Sequence, residues 1–242
     1  MPPSIGKAIF ENFGREKLIG LFGSGLGLEV FYSFVIIICS LMIYYGTKEL
    51  YELSSYKGIK YFRQAFLFFA IAYFFRSFIK FVVLYFNVNG ILDLSPATFG
   101  ATGLATQLLF MYFSSMAVFY LLYSVIWKKL SENKYTIYMF HGAAFIVALI
   151  SILSRNSLVY LGLNFLLLGI TILVVSLSYK NVNRKGHNLY FIYLLLSIFW
   201  ILNIIDALLP KFFQGFQLFI YLISTGIFLL ILYKVIKKTG SN

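Results

Sequence analysis

The chain has one cysteine, two histidines, four prolines and only eight acidic residues among its 242. Each shortage removes a class of chemistry. A lone cysteine forms no internal disulfide, paired-cysteine zinc site or dithiol redox pair, and Cys39, lying within an apolar run, reads as a small buried apolar residue. There is no HExxH metal motif, GxSxG nucleophile elbow or phosphate-binding glycine loop. With His141 and His187 as the only histidines, no metal ligand, catalytic residue or cofactor is assigned. The prolines Pro2, Pro3, Pro96 and Pro210 fall outside the apolar runs and no internal repeat is visible, so the inverted repeats and interrupted helices of many secondary transporters are not present as cues.

What remains is hydrophobic and basic. Hydrophobic residues make up 61% of the chain, with a mean hydropathy of +0.87, against about 45–50% apolar content in ordinary soluble domains. The fold class read from this is all-α: a polytopic bundle, integral to the cell membrane and passing through it many times. The formal charge of +12 would point to nucleic acid in a soluble protein. Here the cations sit in short connectors between apolar runs, where they set orientation and meet anionic headgroups, so the partners expected are membrane lipids and no nucleic acid.

A crossing takes about 20 apolar residues, and seven stretches qualify: 27–46, 62–86, 100–126, 135–153, 157–178, 189–209 and 213–233. Before them, residues 4–22 place Ile5, Ile9, Phe10, Phe13, Leu18 and Phe22 opposite Lys7, Glu11, Asn12, Arg15 and Glu16, the pattern of an amphipathic helix in the membrane interface. The organisation expected is an N-terminal amphipathic interfacial segment over 1–26, a seven-helix transmembrane domain over 27–238 and a short tail over 239–242. Lys48, Lys57, Lys60 and Arg63 flank the first connector, Lys128, Lys129 and Lys134 the third, Lys180, Arg184 and Lys185 the fifth, and Lys234, Lys237 and Lys238 the C-terminus. The second connector, 87–99, has no basic residue. The positive-inside rule then gives N-terminus out and C-terminus in.

Counting about 1.5 Å per residue along each span brings most of the strongly polar intramembrane side chains to one depth in the outer half. Arg76 and Lys80, one turn apart on the second span, share that level with Asn203 and Asp206 on the sixth, Glu29 on the first and Gln107 on the third; Asn164 and Gln217 join them. His141 is the inner-half exception and reads as a packing histidine. A cation near the bilayer centre costs roughly 2.5–3.5 kcal/mol on insertion scales, so Arg76 and Lys80 need partners or a wet cavity. Two readings stay open: an ion-pair network that only pins helices together, or a cationic cavity for a small anionic or lipid-like ligand, with Asp206 as counter-ion. Acids beside cations stay ionised, which disfavours an enzyme.

Aromatic residues make up 20% of the chain. Tyr32, Tyr44, Tyr45, Tyr51, Tyr112, Tyr123, Tyr179, Tyr190, Tyr193 and Tyr233 lie mostly toward span ends and Trp127 with them, as an interfacial belt would have them; Trp200, near mid-span, would line the cavity floor. Gly100, Gly103 and Ala105, with Gly142, Ala143 and Ala144, offer small faces for close helix contact.

The stretch Tyr56 to Phe78, YKGIKYFRQAFLFFAIAYFFRSF, with its basic connector leading into an aromatic second span, resembles the corresponding part of prokaryotic seven-helix sensory input domains. That resemblance implies a receptor-like, ligand-binding membrane protein. Only Thr239 to Asn242 follow Lys238, so a sensor of this build is expected to signal through a separate membrane or cytoplasmic protein partner. A rhodopsin is excluded because the last span has no lysine in its middle. The alternatives are a secondary transporter or ion- or proton-conducting protein, and a non-catalytic subunit of a membrane complex.

Overall fold

A computed structural model describes residues 26–78, 96–129, 134–154, 156–180, 189–208 and 214–239. Every regular element among them is helical: α1 (Leu26–Gly46), α2 (Lys48–Ser54), α3 (Lys57–Tyr73) running into a π-helical turn (Phe74–Phe78), α4 (Pro96–Ile126), α5 (Lys134–Leu153), α6 (Ser157–Lys180), α7 (Tyr190–Leu208) and α8 (Gln214–Thr239). Six helices are long and apolar enough to cross a membrane: α1 with α2, α4, α5, α6, α7 and α8. The structure thus has the helices of a multi-pass membrane protein. The expected amphipathic segment and Lys80 lie outside the described residues, as does the end of the expected second span beyond Phe78.

The bundle is built around α3, which has two buried seams. Ile59, Phe62, Phe66, Phe69 and Tyr73, spaced alternately by three and four, form one; Gly58, Tyr61, Ala65 and Ala72 form the other. Such spacing keeps each series on a constant face. On the first, Phe62 meets Tyr193 of α7, Phe66 meets Phe228 of α8, and Phe69 meets both Trp200 and Phe228. On the second, Tyr61 meets Tyr120 and Tyr123 of α4. Lipid tails are as apolar as these rings, so solvent exclusion does little to bring the helices together. Ring packing and close contact do it instead, at about 0.5–1.5 kcal/mol per well-placed aromatic pair. Among the remaining helices, α1 lies between α3 and α8, α7 between α8 and α6, and α6 returns to α4; α5 stands outside, against α4.

α1 shows how a helix apolar all round is sorted. Tyr32, Ile36, Cys39 and Ile43 are buried, while Phe31, Phe34, Ile38, Met42 and Tyr45 are exposed on the opposite face, where acyl chains would solvate them. The small faces expected on α4 and α5 do not act as close contacts. Among the described residues, a Cβ added at Gly100, Gly103 or Gly142 meets nothing within 4 Å, Ala105 is exposed, and of the group only Ala144 is buried, against Met116 and Phe119. Close approach occurs at Gly58 instead, where a Cβ would stand 2.8 Å from the Ser124 carbonyl oxygen of α4.

The two ends of the bundle differ in charge. One gathers the C-terminal ends of α1, α4, α6 and α8 with the N-terminal ends of α3 and α7, as the contacts Tyr56–Trp127, Tyr179–Tyr190 and Lys234–Phe191 show. It carries Lys48, Lys60, Lys128, Lys129, Lys180, Lys234 and Lys237 with the two acids Glu49 and Glu52 of α2, the latter paired with Lys48. The other end carries Glu29, Arg76 and Asp206.

Candidate functional site

The π-helical turn at Phe74–Phe78 places the site's central cation. The Phe74 N–H is still shared between the carbonyls of Ala70 and Ile71 as α3 ends; π-helical turns add a residue locally, re-aim side chains and recur at functional sites. Arg76 projects from the middle of this turn. The turn is tied to α1 by a 2.6 Å hydrogen bond between the buried hydroxyls of Ser33 and Ser77.

From there Arg76 reaches three acceptors on two helices. Its Nη2 donates to Asp206 Oδ2 at 3.0 Å, its Nη1 to Asn203 Oδ1 at 3.1 Å, and its Nε to Glu29 Oε1 at 3.4 Å. The ion pair with Asp206 is the shorter and drier: the side chains are 17% and 7% exposed. The guanidinium also lies against the rings of Phe110 and Tyr73, 5.3 and 5.7 Å from their centroids, where the ring quadrupoles favour a cation.

The acceptors are themselves held. The Asn203 amide donates to the Phe199 carbonyl and its Oδ1 also accepts from the Tyr73 hydroxyl at 2.8 Å. Gln217 donates to Asp206 Oδ1 at 3.1 Å and to the Tyr221 hydroxyl at 2.9 Å. Tyr221 stacks on Tyr32, centroids 4.7 Å apart and nearly parallel, and the Tyr32 hydroxyl is 3.3 Å from that of Tyr73. The contacts close into a circuit: Tyr32, Tyr73, Asn203, Arg76, Asp206, Gln217, Tyr221 and back to Tyr32. It spans α1, the end of α3, α7 and α8. Buried polar groups in such a network hold one another in a single geometry when all are satisfied.

Beside the circuit is a small cavity lined by Tyr73, Arg76, Phe110, Ser114, Tyr160, Asn164, Trp200, Asn203 and Ala207. Its volume of about 30 Å³ suits a water or two, against about 300–1,000 Å³ for drug-sized ligand pockets. Trp200 forms one wall, its indole N–H donating to the Asn164 backbone carbonyl at 3.2 Å. Arg76 reaches the cavity, whereas Glu29 and Asp206 are not among its lining residues.

Of the residues singled out from sequence, Arg76, Asp206, Asn203 and Glu29 are brought together, and Gln217 joins them. Lys80 lies outside the described residues. Gln107 is not brought to the cluster: its amide donates to Ser151 of α5 at 3.3 Å, and the α4 residue against Arg76 is Phe110, one turn on. His141 pairs with the Tyr112 hydroxyl through Nδ1 at 2.6 Å. Tyr32, Tyr123 and Tyr193, assigned from sequence to an interfacial belt, are instead buried; Tyr45, Tyr179 and Tyr233 are exposed, as a belt requires. Tyr73 and Tyr221 were not singled out at all, although Tyr73 stands three residues before Arg76 and Tyr221 four after Gln217, on shared helix faces. Among the described residues no group of His, Cys, Asp and Glu could hold a metal ion.

No family model matches the chain, and no solved structure matches it. An uncharacterized protein of Archaeoglobus fulgidus is 32% identical over 218 residues, covering 88% of this chain and 93% of that one.

Proposed function

We propose, for a chain that belongs to the same family as the Archaeoglobus fulgidus protein, a receptor-like role as a ligand-binding membrane protein. In this reading α3 and its π-helical turn complete a seventh crossing, and the C-terminus and the basic end of the bundle face the cytoplasm, as the positive-inside rule prefers. The circuit around Arg76 then lies toward the outer side, open to a small anionic or lipid-like ligand.

The observation that carries the reading is that Arg76 lines the cavity while Glu29 and Asp206 are not among its lining residues. An entering carboxylate or phosphate would meet donors first. Among the described residues, the acceptors Glu29, Asn203 and Asp206 use three guanidinium N–H groups of the five available, so an anion can bind before any ion pair breaks. To go further it must draw Arg76 from Asp206 or Glu29 and widen the cavity, which moves α7 or α1 relative to α3. Charge-assisted bonds of this kind contribute about 1.5–3 kcal/mol each, the size of free energy that a ligand's own charge-assisted bonds could offset.

The test is thermal stability of the purified protein in detergent across a panel of short carboxylates and inorganic phosphate. The expected result is a stabilised wild type and a folded Arg76→Gln variant that no longer responds. A panel that leaves the wild type unmoved would sink the reading.

A second reading, proton or ion conduction, is favoured by one fact: the described cluster sets two carboxylates against a single guanidinium. Against it, Phe66, Phe69, Phe199 and Phe228, at most 1% exposed, separate the circuit from the Ser124–Tyr193 hydrogen bond nearer the basic end. Conduction would require that aromatic plug to open. It predicts Asp206-dependent acidification of liposomes, and flux unaffected by Asp206→Asn would remove it.

A further inference from the structure

The corner where α3 begins and α4 ends has features that the circuit at the other end does not explain. Gly58 lets the two helices meet there almost backbone to backbone. The Tyr56 and Trp127 rings pack edge to face, centroids 5.5 Å apart at 81°. The Lys128 ammonium lies over both rings, 5.5 Å from the Tyr56 centroid and 5.7 Å from that of Trp127. The aromatic pair therefore holds this cation in place. Lys60, in the first turn of α3 after Tyr56, is exposed, as are Lys128 and Lys129. Among the described residues no carboxylate pairs with Lys60 or Lys128, and the buried Trp127 indole N–H has no acceptor.

We propose that this corner is a binding site for the phosphate of an anionic phospholipid headgroup. Among the described residues Lys60 and Lys128 have no carboxylate partner, and the Tyr–Trp pair has the chemistry of the headgroup level. Exposed apolar side chains flank the corner on neighbouring elements, Leu53 of α2 and Tyr135 of α5, at 76% and 73% exposure. Such side chains suit acyl chains, which a site for free phosphate would not need. Each lysine near an anionic surface is worth about a fivefold change in binding.

The test is native mass spectrometry of the full-length protein in neutral detergent, titrated with phosphatidylglycerol and, separately, with phosphatidylcholine. The wild type is expected to retain phosphatidylglycerol selectively. Lys60→Gln with Lys128→Gln should weaken that retention by about fivefold per lysine, and Lys128→Arg should keep it. Lys180→Gln, on α6, should change it little. An unchanged preference in the double variant overturns the site. Equal loss from Lys180→Gln would replace it with a diffuse basic collar, and displacement by inorganic phosphate at millimolar concentration, with the same lysine dependence, would overturn its assignment to a lipid. Unchanged melting temperatures in the variants confirm that they fold.

Discussion

Two arginines on α3, Arg63 and Arg76, stand about 20 Å apart along the helix and are satisfied in opposite ways. Arg63 donates Nε to the Tyr44 carbonyl at 3.0 Å and lies over the Tyr44 ring, 4.9 Å from its centroid. Tyr44 is in the last turn of α1, which has no basic residue of its own, so Arg63 supplies from a neighbour the cation that a helix C-terminus favours. Thr47 caps the same turn by donating to the Ile43 carbonyl at 2.7 Å. Arg76, at the other end of the bundle, is answered instead by carboxylates and an amide from α1 and α7. The difference teaches that position along the helix decides what a cation needs. At the basic end a backbone carbonyl and a ring answer the cation; at the other end two carboxylates and an amide do, and they make the cation a link in a wider network.

The comparison breaks first at Arg76. Arg76→Leu leaves the buried Asp206, and the half-buried Glu29, without their cation and should cost about 3–5 kcal/mol, the usual penalty for orphaning one side of a buried pair. Thermal unfolding in detergent would read this, and the double variant Arg76→Leu with Asp206→Leu should recover part of the loss. If the double variant is no better than the single, Arg76 is not held chiefly by Asp206. Next, Gly58→Val, near the Arg63 end, should cost about 1–3 kcal/mol by overpacking against the Ser124 carbonyl, and an unchanged melting temperature would mean that α3 and α4 are not locked at that corner. Tyr32→Phe keeps the stack on Tyr221 but removes the hydroxyl facing Tyr73, an expected loss of about 1 kcal/mol. Smallest of all, Arg63→Gln should cost less than about 1 kcal/mol, and a loss as large as that of Arg76→Leu would erase the contrast between the two sites.

Depth was legible in the sequence and azimuth was not. Counting residues along spans brought Arg76, Asn203, Asp206 and Glu29 to one level, because helical rise is constant. It also brought Gln107 to that level, and the direction in which a helix faces depends on its neighbours: Gln107 turns to Ser151 and leaves Phe110 toward Arg76. The same gap hid the tyrosines. A tyrosine near a span end looks the same whether it anchors in an interface, as Tyr45 does, or is buried in a network, as Tyr32 is. Its spacing to a neighbouring charge was the unused signal. The small faces on α4 and α5 failed for a related reason, since small residues permit close approach without specifying a partner. The π-helical turn has no signature in the run FFRSF, whose residues suit an ordinary helix.

The circuit has one further property: it is closed. An open chain of contacts loosens from its ends and gives way by degrees, whereas a ring has no end from which to loosen. Four helices held by such a ring stay together until one link opens, after which the remaining links restrain only an open string. The response to whatever opens it should therefore be abrupt, a latch in place of a spring.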